Sequence, residues 1–281
     1  MKVRRITLLA ALAVAVSIAV SPEGQAGGGV TPISICDQIV TTNAYLVSSL
    51  DCEPNTPGVI IGADGITVDL KGFTIRGDRS SLRYGIDNSA AHDRVTIKNG
   101  VLRNFDYGVV SYGDKLSLSN IVASGNVNAG IYASGESPSL KSSTASGNAG
   151  SGIVIASGSF AKIQSAAASG NALDGIFVGG ASALVKTSAA SGNGFFGIEV
   201  VADTAKILSS TVSGNADGGI AVDGNAAQLK GNHAEANGFA GGASNAVGLG
   251  LSAVGYTIAP VGTNVARGND DPNECQPMSL C

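Results

Sequence analysis

The chain has 281 residues, of which 40 are glycine, 14% are charged, 5% are aromatic and none is tryptophan, with a formal net charge of −4. Taking away residues 1–26 removes three basic residues and one acid, which leaves 14 basic against 20 acidic. Such an acidic balance argues against nucleic acid or an anionic membrane as partner, since both seek a positive surface, and a glycine-rich, aromatic-poor chain suits short strands joined by tight turns.

Residues 1–26 read as an export signal. Lys2, Arg4 and Arg5 precede an apolar run over 6–20, and Gly24-Gln25-Ala26 offers the small residues that a signal peptidase needs. The 15-residue run is shorter than the ~20 residues of a membrane span. The expectation is a mature chain from about Gly27, periplasmic or extracellular, with no membrane span.

Segment 27–57 is expected as an N-terminal cap and 270–281 as a C-terminal tail. Each holds one cysteine pair, Cys36 with Cys52 and Cys275 with Cys281. An oxidising compartment makes these two terminal disulfides. A metal site is the alternative reading, but no histidine lies near either pair.

Between these ends, 58–269 carries a repeat. Asn104, Asn126, Asn148, Asn171, Asn193, Asn215 and Asn237 follow one another at steps of 22, 22, 23, 22, 22 and 22. Four residues after each stands a glycine, from Gly108 to Gly241, and an apolar column of Leu118, Leu140, Ile163, Val185, Ile207 and Leu229 precedes each asparagine from Asn126 by eight residues. Units this short cannot bury a core alone; stacked, they bury a continuous one. The predicted fold is all-β, a right-handed parallel β-helix (solenoid) of about nine coils with short caps. The asparagines are expected as an internal ladder, and glycine and asparagine as left-handed turn residues. Two longer steps predict loops over 78–94 and 238–248.

Three features depart from the scaffold. Segment 78–94 gathers Asp78, Arg79, Arg83, Tyr84, Asp87, His92, Asp93 and Arg94. The position after each Gly-Ile pair reads Asp87, Val110, Tyr132, Val154, Phe177, Glu199 and Ala221, which with Phe105, Tyr107, Phe195 and Phe196 predicts an exposed semi-aromatic stripe suited to sugar rings. Tyr107, Tyr132, Phe177, Phe196 and Glu199 are its candidate ligand-binding residues. Lys141, Lys162, Lys186, Lys206 and Lys230 flank the inward apolar column and read first as solvation that guards a sheet surface, with an anionic-polymer track as the alternative.

The segment Gly62-Ala63-Asp64-Gly65-Ile66-Thr67-Val68-Asp69-Leu70-Lys71-Gly72-Phe73-Thr74-Ile75, the later Val95-Thr96-Ile97-Lys98-Asn99-Gly100 and the repeated Ser-Gly-Asn unit resemble bacterial right-handed β-helix repeat proteins of the pectin-lyase-like superfamily. That resemblance implies polysaccharide lyases, polygalacturonases, alginate epimerases and phage tailspikes among its relatives, so the fold alone does not fix a chemistry. Tyr84-Gly85-Ile86-Asp87 looks like the start of the epimerase motif Tyr-Gly-Ile/Phe-Asp-Pro-His, with Asn88 in place of proline and His92 four residues on. Under that reading Arg83 neutralises a uronate carboxylate, His92 abstracts a proton, Tyr84 donates one from the far face, and Asp87 completes the set. No cofactor or metal is expected; Ca2+ enters only under a lyase reading. The functional expectation is a secreted scaffold that binds polysaccharide or a cell-envelope glycan, the alternative a lyase or C5-epimerase acting on an acidic polysaccharide.

Overall fold

The computed structural model describes residues 29–79, 82–238 and 263–269, and the backbone of two further strands, Leu251–Ser252 and Cys275–Gln276. The export signal, the expected loop at 238–248 beyond Gly238, and Cys281 lie outside the described residues, so the Cys275–Cys281 pair does too.

The fold is an all-β right-handed parallel β-helix of about nine coils. A typical coil has three short strands: Ser139–Lys141 on a first face, Thr144–Ser146 on a second and Ile153–Ile155 on a third. Each pairs in parallel with its counterparts one coil below and above, Leu118↔Leu140↔Ile163 on the first face and Ile131↔Ile153↔Ile176 on the third. Among the described residues the first two faces form one sheet of 18 strands, because Thr96–Arg103 and Ser117–Ser124 run unbroken round the shallow bend between them. The third face is a separate sheet of 11 strands. A single left-handed residue makes the bend, Ser142, Ser165, Thr187 and Ser209 in successive coils.

Strand alternation sends one apolar column per face inward. Leu140, Ala145, Ile153 and Ile155 are buried in one coil, and Ile163, Ala168, Ile176 and Val178 repeat them in the next. Burying each such isoleucine or leucine is worth roughly 1.5–3 kcal/mol, which a three-residue strand on its own could not collect.

Glycine serves in two columns for two different reasons. Gly170 of a Ser-Gly-Asn unit has φ +61° and nothing near its Cβ position, so it is there for its backbone conformation. Gly175, four residues after the ladder asparagine, has no positive φ; a Cβ there would lie 2.6 Å from Asn193 Nδ2, 2.6 Å from the Gly197 carbonyl oxygen and 2.9 Å from the Ala190 methyl. The expectation that these later glycines supply left-handed turns is therefore corrected: they let the second and third faces meet at a corner that the asparagines fill.

In that corner Asn126, Asn148, Asn171, Asn193 and Asn215 are buried; Asn126 Oδ1 accepts the Phe105 N–H, and from Asn148 on each Oδ1 accepts from the backbone N–H and the side-chain amide of the asparagine one coil before it. The ladder continues across the wide step, Asn237 Nδ2 donating to Asn269 Oδ1 at 2.9 Å, so the ten extra residues of that step leave the column unbroken. A second ladder, not foreseen, lines the first bend: Ala166 N–H donates to Ser188 Oγ, Ser188 N–H to Ser210 Oγ, and Ser210 N–H to Asn232 Oδ1.

Within segment 27–57, Thr31–Ile33, Gln38–Val40, Ala44–Leu46 and Leu50–Asp51 already pair into the two sheets. Cys36–Cys52 is a disulfide that ties this first turn of chain to the second. Segment 78–94, expected as one projecting loop, contains the five-residue strand Tyr84–Asn88, paired with Val59–Ile61 below and Tyr107–Ser111 above. The longer step is spread over the turns on either side of a normal third-face strand.

Candidate functional site

The third face is where the sequence stops being uniform. Its outward column runs in strict register from Ile39 through Ile60, Asp87, Val110, Tyr132, Val154, Phe177 and Glu199 to Ala221. The predicted stripe therefore exists as a column, with two corrections. Phe105 is 1% exposed and belongs to the core, filling the space that Gly77 and Gly85 leave. Val110 is 2% exposed, covered rather than presented.

Tyr84, Tyr107, Tyr132 and Tyr112 form a chain of edge-to-face rings at centroid distances of 5.8, 5.7 and 6.0 Å. Edge-to-face geometry sets the positive rim of one ring against the negative face of the next, fixing orientation beyond what burial alone requires. Tyr112 is exposed and was missed in the sequence reading; continuing the outward register two residues past Val110 along the strand finds it. Burial first, with repulsion from neighbouring tyrosines, raises the hydroxyl pKa of Tyr84, Tyr107 and Tyr132, and nearby carboxylates add to this for Tyr84 and Tyr107. These hydroxyls stay protonated donors. Beside them a shallow groove of about 180 Å³ is lined by Tyr107, Asn128, Tyr132, Ser151, Val154 and Leu173.

Two coils further along, aromatic residues meet carboxylates. Phe177 lies between Val154 and Glu199 in the column; Phe196 is half-buried beside Gly197, and Phe195 is exposed. Asp174 Oδ1 accepts the Phe196 N–H at 3.1 Å. Burial pushes the Asp174 carboxyl up, with Asp217 repelling it and hydrogen bonds opposing the rise; burial also pushes Glu199 up, with Asp174 and Asp223 repelling it.

Of the four candidate catalytic residues two share a strand, and the other two flank it. Tyr84 and Asp87 share the outward side of one strand, and Asp87 Oδ1 accepts the Ser89 N–H. Arg83 precedes that strand, and its guanidinium is committed to the backbone carbonyls of Asn55 and Leu82. His92 lies in the turn after the strand, Nδ1 3.2 Å from Asp64 Oδ1, its backbone N–H held by Asn88 Oδ1. Asp64 also meets Arg94 at 3.5 Å, and its carboxyl is held below the usual range, chiefly by the Asp93 N–H. In that turn carboxylates cap successive coils: Asp93 Oδ1 accepts the Asp114 N–H and Asp114 Oδ1 the Glu136 N–H. Among the described residues no group of three His, Cys, Asp or Glu side chains is placed to hold a metal ion, and no helix is long and apolar enough to cross a membrane.

A three-faced parallel solenoid with a side-chain ladder at one corner defines a class, the β-helices. The family model described as "Right handed beta helix region" matches residues 57–205, more than half of the chain, and the chain belongs to that family. Among solved structures it is similar to the A-module of Azotobacter vinelandii mannuronan C-5 epimerase AlgE6, with 15% identity, 88% of this chain and 87% of that chain covered, and a TM-score of 0.52. It is also similar to the Dettilon tailspike protein, with 13% identity, 84% and 54% covered, and a TM-score of 0.52. Likeness at this identity is likeness of fold. Against curated proteins the sequence has no match.

Proposed function

We propose that this chain is an exported glycan-binding β-helix, and that a neutral glycan lies along its third face with sugar rings on the tyrosine chain and Phe177. The observation that carries the reading is the continuous, partly exposed chain of Tyr84, Tyr107, Tyr132 and Tyr112 beside a shallow groove. Pyranose rings offer apolar C–H faces to aromatic rings, while Asn128 and Ser151 supply hydrogen-bonding groups at the groove. The neutral charge of the ligand follows from Asp87, Asp174, Glu199, Asp217 and Asp223 on or beside the same face, where the basic side chain Arg83 is already engaged. A polyuronate would meet repulsion there, which weighs against a lyase or epimerase of acidic polysaccharides, and the engagement of His92 by Asp64 and of Arg83 by backbone carbonyls weighs the same way. Location outside the cytoplasm fits residues 1–26 and the Cys36–Cys52 disulfide.

The test is binding to defined neutral oligosaccharides of glucose, galactose and N-acetylglucosamine. Tyr107→Ala combined with Tyr132→Ala should weaken the best ligand by about tenfold or more, as each ring contact is worth about 0.5–1.5 kcal/mol. Equal affinity of the variant, or no binding across the panel, overturns the proposal.

A further inference from the structure

The first face differs from the third in sign. Its outward positions form two columns, one reading Ser117, Ser139, Lys162, Leu184, Lys206, Gln228 and the other Ser119, Lys141, Gln164, Lys186, Leu208, Lys230. From Lys141 to Lys230 every coil therefore presents one lysine, in a zigzag between the columns, and no acid stands in either over these coils; before Ser119 the second column continues back through Lys98 to Asp69. All five lysines are exposed, and none forms an ion pair among the described residues. Coils repeat at about 4.8 Å, so the row spans about 19 Å with one positive charge per coil.

We infer that this row is a second, independent binding surface, and that it takes a linear acidic polysaccharide lying along the axis of the rod. A polyuronate carries one carboxylate per sugar ring, a spacing comparable to one coil, so successive carboxylates meet successive lysines. The glutamine and leucine between lysines offer an amide to sugar hydroxyls and an apolar spot to a ring face.

The borders of the row select for a narrow chain. On one side the turn carries Asp114, Glu136 and Asp203, each carboxylate already capping a backbone N–H of the next coil. On the other lies the second face, whose outward residues are mainly alanine, serine and threonine. An anionic membrane or a nucleic-acid duplex, which presents a broad surface with one charge per ~1.7 Å of axis in DNA, would press on those carboxylates. A nucleic acid single strand finds no aromatic ring in these positions on which to stack a base. Protection of exposed sheet surface by lysine accounts for charge at these positions, but does not of itself require one lysine in every one of five successive coils.

The test is affinity for polygalacturonate at low salt, with dextran, single-stranded DNA and vesicles rich in anionic lipid as comparison probes. Wild type should bind polygalacturonate and release it as salt rises. The combined Lys162→Gln, Lys186→Gln, Lys206→Gln variant should bind at least about tenfold more weakly with a shallower salt dependence, because each lysine lost removes released counter-ions. Lys115→Gln, outside the row, should bind like wild type, and Tyr107→Ala with Tyr132→Ala should retain polygalacturonate, which separates this surface from the third face. These lysines are exposed, and circular dichroism should show the triple variant folded. Equal binding by a folded triple variant, stronger binding to DNA or vesicles, or absence of polygalacturonate binding overturns the inference.

Discussion

Asn171 has more partners than its size suggests. Its Oδ1 accepts from the N–H and Nδ2 of Asn148 at 3.1 and 2.9 Å, and its Nδ2 donates to Asn193 Oδ1 and the Ala145 carbonyl. Asn171→Ala strands a buried N–H and a buried carbonyl, and should cost about 2–4 kcal/mol in denaturant unfolding, since each unsatisfied group costs about 1–3 kcal/mol. Glu199 works in the other direction. Burial, then Asp174 and Asp223, raise its carboxyl, so it supports the fold only while protonated. That support is intact below the ordinary carboxylate range and is lost as pH rises through the raised value. Glu199→Gln should therefore raise the melting temperature near neutral pH and leave it unchanged in acid; no difference at neutral pH would remove the repulsion argument. The ladder asparagines were legible because one residue recurs in one register. Serines 188 and 210 and Asn232 do the same work with mixed residue types, and a mixed column leaves no repeated letter to read.

At the scale of strands and turns, period-2 alternation and the Gly-Ile pair located the third-face strands, and the lysine zigzag was visible from their spacing to the inward column. The Gly85-Ile86 pair already marked the strand Tyr84–Asn88 and put Asp87 in the outward column, although the long, charged turns on either side made the stretch 78–94 resemble a loop. What the sequence did not show is that Arg83 is engaged by backbone carbonyls before that strand and His92 by Asp64 after it. Proximity in sequence says little in a fold where one strand and one turn separate residues by a corner of the rod. The N-terminal strands depend on a covalent tie: Cys36 and Cys52 are 16 residues apart, and closing a loop of that size is worth about 3 kcal/mol. Replacing both by serine should expose the amides of Thr31–Val40 to rapid hydrogen exchange while the coils beyond Asn104 keep their protection.

At the scale of the whole molecule, the central coils from Ser139 to Ser213 sort charge by face: lysines on the first, small neutral residues on the second, aromatics and carboxylates on the third; toward the ends the second face carries Arg76, Arg103, Glu235 and Arg267. The net charge of −4 conceals this, and composition alone argued only against nucleic acid or an anionic membrane as partner. Only the register between coils turns scattered lysines into a row. That register has a consequence for how such a protein can change. Because each asparagine addresses the next coil through identical bonds, the coils are interchangeable parts. Excising residues 172–193 brings Asn171 into the place of Asn193, ready to bond Asn215. A molecule one rung shorter should still unfold cooperatively, and its lysine row, having lost Lys186, should grip a polyanion one sugar shorter. Length in this architecture is a dial that whole-repeat duplication or loss can turn without redesigning the interior.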